Sequence, residues 1–459
     1  MLRIQENGKC QYQNTKMKIK RKNKKAKGPN LYKKAKKIIL GGNMLFSKKP
    51  EIWLPNYWPT YFSKASNTTV WDLDNKKYID MICAVGQSTL GYTNKKVERA
   101  VINNVKKSNM TTLNCSEEVE LSKKLLSIHP WAKKIKYARS GGEANAMAIR
   151  IARSASKKEH IAICGYHGWH DWYLSANLKD NKKLNQYLLE GLNPVGVPKS
   201  LRNTVHPFRY NNFQELKRIV KKYDIGTIKM EVTSRGKLPD RTFLRKVQNF
   251  ARQKKIILIF DECTSGFRRN FGGLHLLFKL KPDIVMYGKA LGNGFAITAV
   301  LGNQKVMAAA ERSFISSTFW TERLGYVAAI NTLKEMKRMR SWKILIKNGK
   351  YINKCWKNLA KKYNLNIKIE GIESITSFRF LSKFNLEYKT LIAQEMLKKG
   401  YLASNLIYIN IFHNKKLIDN YIKKLDPVFK KIKFLENNGN ISKYLKGPKC
   451  QSTFSRLNN

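Results

Sequence analysis

Short apolar runs alternate with amphipathic stretches along most of this chain, and several runs end in a charged residue or a glycine. Ile256-Ile257-Leu258-Ile259-Phe260 is apolar without a break, the pattern of a strand buried on both faces. It ends in Asp261 and Glu262. Asp283 to Tyr287 repeats the pattern and ends at Gly288-Lys289. Lys134 to Ala138, Ile161 to Gly165 and Thr227 to Met230 read as further strands, the last leading into Glu231. Val97 to Asn109, Glu117 to Ile128, Asn145 to Ser154 and Leu324 to Arg338 carry helical periodicity. Strands alternating with helices predict an α/β fold.

The pattern changes toward both ends. Val70 to Asp80 alternates apolar and polar positions around Asp74-Asn75, which predicts a hairpin. Before it, Ile52 to Pro59 is rich in aromatic residues and should pack on another surface, a partner subunit being one candidate. From about residue 340 the strands thin out. Helices over Trp342 to Lys362, Leu386 to Lys399 and Lys415 to Glu436 surround strand-like Asn366 to Ile369 and Ser377 to Phe380. The expected division is a basic, disordered tail over 1–30, an N-terminal arm and hairpin over 31–95, a large domain over 96–325, a small C-terminal α+β domain over 326–437, and a loose tail over 438–459.

With 459 residues and 42% hydrophobic composition the chain can bury a large core. It has no run of about 18 apolar residues to cross a membrane and no apolar segment resembling a secretory signal near its first residue. Seven scattered cysteines without metal-type spacing suit a reducing cytoplasm. The formal charge of +58 raises the question of a polyanion partner. Lysine is spread along the chain instead of forming one stripe, and Asn and Ile are abundant too. That favours compositional bias over nucleic-acid binding, leaving residues 17–37 as the one basic cluster.

In an open α/β sheet, ligands bind beyond the carboxyl ends of the strands. An Asp leaving one strand (Asp261) and a Lys leaving another (Lys289) suit pyridoxal 5'-phosphate: the lysine forms a Schiff base and the carboxylate holds the ring nitrogen. Arg139-Ser140-Gly141-Gly142-Glu143-Ala144 joins a strand to a helix start, where free backbone N–H groups can hold a phosphate. Tyr166-His167-Gly168-Trp169-His170 ends another strand with groups able to stack on a planar ring. Its His-x-x-His spacing lacks further ligands for a metal.

Taken in order, these motifs resemble the class III pyridoxal-phosphate aminotransferases of fold type I. The glutamate-1-semialdehyde 2,1-aminomutase-like branch is the nearest. The resemblance spans about residues 31 to 437. It rests on Trp71 to Asp74 with Tyr78 to Asp80, Ser140 to Ala144, Tyr166 to Gly168, Phe260 to Arg268, Gly288-Lys289 and Ser317 to Phe319. It implies a mostly parallel sheet flanked by helices, pyridoxal phosphate as cofactor, and a homodimer with shared sites. Lys289 and Asp261 would be the catalytic pair. Gly141, Gly142 and Glu143 would offer N–H groups to the phosphate. Tyr166 and Cys263 would lie on opposite ring faces, with Glu231 near the ring's substrate side. Thr318 would reach the neighbouring subunit's cofactor. Lys48 and Val85 fall where aminomutases place an Arg and a Trp for the substrate, and His167 is a further substrate-side candidate. The expected reaction moves an amino group between a small-molecule amino donor and a carbonyl compound. The alternatives are intramolecular transfer by an aminomutase, racemisation, and a silent basic binding protein.

Overall fold

The computed structural model describes residues 26–180, 182–187, 190–233, 240–439 and 441–452. Its strands, in chain order, begin with β1 (Phe62–Ser66), β2 (Thr69–Asp72) and β3 (Lys77–Asp80). The central seven follow: β4 (Lys134–Ala138), β5 (His160–Cys164), β6 (Val205–Pro207), β7 (Ile225–Glu231), β8 (Ile257–Asp261), β9 (Ile284–Tyr287) and β10 (Thr298–Gly302). The last are β11 (Ile367–Ile372), β12 (Ile375–Phe380), β13 (Tyr401–Leu402) and β14 (Leu406–Tyr408).

The central sheet has the order β4-β10-β9-β8-β7-β5-β6. β9, β8, β7, β5 and β6 run parallel, and β10 lies antiparallel to both of its neighbours. The unbroken apolar runs are explained by burial on both faces. In β8, Ile257 and Ile259 pack toward the Gly141–Ser156 helix, while Leu258 and Phe260 join the opposite core beneath Leu121, Leu244 and Leu333. Ala144, Ala148 and Ala152 repeat every fourth residue on the Gly141–Ser156 helix, so its backbone can lie close to the sheet.

Both ends of the chain build the second layer together. β13 pairs parallel with β3, extending the hairpin sheet to β1-β2-β3-β13, while β11-β12-β14 form a third sheet. Met81 sits in one core with Trp356, Phe378, Tyr421 and Phe429. The aromatic arm, expected to pack on another surface, packs on its own chain. Trp53 and Trp58 stack at 5.8 Å and bury against Ile82 and Ala393.

Three expected boundaries shift. Residues 1–25 of the basic tail lie outside the described residues, but a helix over Lys27–Ile38 begins within the stretch read as disordered, its Lys27 N–H bound to Asp74. The Arg323–Met339 helix belongs to the large core through Tyr326, Ile330, Leu333 and Met336, so the change of unit falls at Arg340, a left-handed cap with φ +48°. The C-terminal stretch read as loose is tied down as far as it is described. Cys450 is buried, its N–H bonded to Thr390, and the Gln451 N–H reaches the Glu51 carbonyl. No described helix is long and apolar enough to cross a membrane.

Candidate active site

Adjacent parallel strands deliver the central pair. Asp261 is the last residue of β8, and Lys289 follows Gly288 just past β9. Lys289 sits at φ +36°, a left-handed value that costs energy for any residue with a side chain. Its Nζ donates to Thr264 Oγ1 at 2.5 Å. Burial pushes its ammonium pKa down, and Arg268 adds to that, against the pull of Cys263 and Glu231. A lysine must lose its proton to attack a carbonyl, so this direction suits a nucleophile.

Burial alone would push the Asp261 carboxyl up. Lys229 and His167 overcome it and hold the group well below the usual carboxylate range. His167 Nδ1 lies 3.0 Å from Oδ2, and the Cys263 N–H donates to Oδ1 at 3.1 Å. His167, a substrate-side candidate in the sequence, is therefore a buried partner of Asp261. Burial and Lys229 lower its imidazole to about 4, so near neutral pH it is an uncharged donor. Cys263, two residues beyond the end of β8, has its side chain beside Gly288.

Glu231 ends β7 directly in register with Asp261. Its Oε2 accepts the Tyr166 N–H at 3.1 Å. Burial, then the charge of Asp261, pushes its carboxyl well above the usual range. Gly165 must be glycine here: its φ is +116°, and a Cβ would stand 2.6 Å from Glu231 Oε2. The Tyr166 ring, half-buried, packs edge-on to Tyr173.

The candidate phosphate cradle is the start of the Gly141–Ser156 helix. Ser140 caps it, accepting the Glu143 N–H, while the Glu143 carboxylate accepts the Ser140 N–H in return. This corrects the sequence reading of Glu143, whose N–H is already used. Gly141 and Gly142 have no protein acceptor for theirs among the described residues, and a Cβ on Gly141 would meet nothing within 4 Å. A Cβ on Gly142 would stand 2.5 Å from His170 Cε1, whose ring fills that space and whose buried Nδ1 has no partner. His167 thus pairs with Asp261, whereas His170 lies against the helix start at Gly142.

Val85 lies in an unusual turn. Cys83, Ala84, Val85 and Gly86 all have positive φ, between +50° and +83°. Such a turn is strained for a β-branched residue and must be held from outside. Asp80 accepts the N–H groups of Ile82 and Cys83, and Arg268 donates to the Gly86 carbonyl. Arg268 Nε also donates to the Thr264 carbonyl, so the turn is linked through residues 268 and 264 to Lys289. Lys48 is exposed, close enough for its charge to favour the buried Asp80 carboxylate. Thr318 is exposed on a turn whose Trp320 donates to Glu143.

The sequence reading assigned no role to Lys229, Thr264 or Arg268. A charge inside the otherwise buried β7 was the available signal for Lys229. An acceptor for a ring nitrogen, a deprotonatable lysine beside it and an open pair of N–H groups at a helix start fit pyridoxal phosphate.

Comparison with known proteins agrees. The family model described as aminotransferase class-III matches residues 55–417. The 3-aminobutyryl-CoA aminotransferase of Cloacimonas acidaminovorans is 32% identical over 403 residues, 84% of this chain and 93% of that protein. A glutamate-1-semialdehyde 2,1-aminomutase of Sulfurisphaera tokodaii is 27% identical over 425 residues, covering 88% and 99%. Among solved structures, the PLP internal aldimine form of the FumI protein of Sphingopyxis sp. MTA144 superposes with a TM-score of 0.81 at 22% identity, over 91% of this chain and 99% of that one. An omega-transaminase from Sphaerobacter thermophilus gives 0.79 at 18% identity, over 89% and 98%. These neighbours share fold type I. The aminomutase-like branch is not singled out, because the two kinds of relative lie side by side. By the family model and the 32% relative, the chain belongs to the class-III aminotransferases, whose cofactor is pyridoxal phosphate.

Proposed function

We propose that this chain is an aminotransferase that moves an amino group between a small-molecule amino donor and a carbonyl acceptor, with Lys289 as nucleophile and proton carrier. The observation that carries this reading is the strand-end pair: a buried lysine whose proton is destabilised, one strand away from a carboxylate held ionised. Pyridoxal phosphate supplies the aldehyde that accepts the amino group and the ring that withdraws electrons. Asp261 would accept the ring nitrogen's N–H, and the Gly141 and Gly142 N–H groups would hold the phosphate. Tyr166 and Cys263 bound the ring. Lys289 would carry the proton removed from the substrate's α-carbon, a role typically worth about 10²–10⁴-fold.

The assembly we propose is a homodimer. Phe314, Phe319 and Trp169 are exposed, 86%, 69% and 71% accessible, and a second copy would cover them. Thr318 stands among them, free to reach the partner's cofactor. The scattered cysteines support a reducing, cytoplasmic setting.

Borohydride reduction of the protein loaded with pyridoxal phosphate, followed by peptide mapping, tests the central role. Label at Lys289 is expected; label dispersed over surface lysines defeats the reading. A second reading, intramolecular transfer, is supported by the aminomutase relatives that match over nearly their full length. Turnover of a single amino-aldehyde substrate without any second acceptor would favour it.

A further inference from the structure

Lys229 is the least expected residue near this site. β7 is buried along its length, and in register Lys229 lies between Ile163 on β5 and Ile259 on β8. The side chain is wholly buried. A bare ammonium there is costly unless it is paired. Its Nζ lies 3.6 Å from Asp261 Oδ2 and 3.1 Å from Met286 Sδ. Packing alone asks only for an apolar side chain like its neighbours, so the charge requires its own explanation.

We propose that Lys229 is a positioning residue for the cofactor: its ammonium, sealed under Asp261, offsets part of that carboxylate's charge and so sets how firmly the ring nitrogen holds its proton. The inference rests on the aminotransferase reading above. The titratable groups that face Asp261 are Lys229, His167, Cys263, Glu231 and Lys289. His167 is a neutral donor, Glu231 shares the strand ends, and Lys289 is committed to the cofactor. Lys229 alone among these brings a positive charge from beneath the sheet. With Asp261 facing only a protonated ring nitrogen, the buried pair is neutral. With Lys229 added, the trio carries one net positive charge, and the ring proton is held less tightly.

The test uses Lys229→Met, which keeps the length of the side chain and removes the charge, and Lys229→Gln, which keeps a donor. Each is loaded with pyridoxal phosphate labelled with nitrogen-15 in the ring. The ring-nitrogen resonance of both variants should titrate at higher pH than in the wild type. Their cofactor dissociation constants, measured by equilibrium dialysis, should fall on the order of tenfold, given charges a few ångströms apart in a partly screened interior. A readout independent of the cofactor comes from Asp261→Asn. It should lower the apo-protein melting temperature more in the wild type than in the Lys229→Met background, because it strands a buried cation only where Lys229 remains. Unchanged ring-nitrogen titration and affinity, or an equal effect of Asp261→Asn in both backgrounds, would show that Lys229 merely fills space. A wild type that binds no pyridoxal phosphate at Lys289 would instead overturn the aminotransferase reading, while leaving the Asp261→Asn comparison to decide the pairing.

Discussion

His413 gives the structure a measurable acid sensitivity. It is fully buried, its Nδ1 accepting the Asn410 N–H at 3.2 Å and its Nε2 placed 3.2 Å from the Asp80 carbonyl. Burial lowers its imidazole from 6.5 to about 4. A proton on Nδ1 would turn the acceptor for Asn410 into a donor facing a donor. The unfolded chain accepts that proton below about pH 6.5, whereas the folded protein resists it until about pH 4. Stability therefore falls as the pH drops through this window and is insensitive to His413 above it. The full span corresponds to about 3.4 kcal/mol, and about 2 kcal/mol of it is already lost at about pH 5. The perturbation is His413→Gln, which removes the titrating group. At about pH 7.5 the variant is less stable by whatever packing and hydrogen bonding it loses. By about pH 5 that gap should narrow by about 2 kcal/mol, because only the wild type bears the proton-linked loss. Urea unfolding followed by tryptophan fluorescence at both pH values measures the difference between the two gaps. The same gap at both would refute the assignment of His413 as a buried neutral imidazole.

Two substitutions test the phosphate end of the site. Gly142→Ser places a Cβ 2.5 Å from His170 Cε1 and should displace that ring, weakening pyridoxal phosphate binding about tenfold; adding His170→Ala should restore part of the affinity, and equal affinity in Gly142→Ser and wild type would defeat the steric argument. Thr318→Ala should raise the cofactor dissociation constant severalfold in equilibrium dialysis while sedimentation shows an unchanged oligomer; unaltered retention would remove Thr318 from the cofactor contacts.

The central strands were legible because burial on both faces leaves a mark: Ile257 to Phe260 and Ile284 to Tyr287 contain no polar interruption. β10 carries an apolar stretch as well, but it follows Gly292-Asn293-Gly294 closely and looks like the end of a loop. β13 has two residues, too few to show any period. Besides the local Asp80, the left-handed turn at Val85 is held by residues far along the chain, Arg268 and Asn410, which no local pattern reveals. The burial of Cys450 depends likewise on Thr390 and on the anchoring of Gln451 to Glu51. Asp261 and Lys289 could be picked out as strand-end residues, whereas the roles of His167 and Lys229 depend on where their side chains meet in space.

That meeting explains how two carboxylates side by side acquire opposite tasks. Glu231 and Asp261 are register neighbours at the ends of β7 and β8, both desolvated. If their surroundings were equal, mutual repulsion would raise both pKa values. Asp261 has the Cys263 N–H, His167 and the Lys229 ammonium around it, whereas Glu231 has the Tyr166 N–H as donor and the charge of Asp261 at its side. The uneven supply of donors drives the pair apart: Asp261 remains an acceptor near neutral pH, and Glu231 is biased toward keeping its proton. In the proposed reaction a protonated Glu231 would be able to donate to an oxygen beside it, and an ionised Asp261 to accept from a ring nitrogen. Two residues of one chemical class then perform complementary work because their hydrogen-bond partners differ.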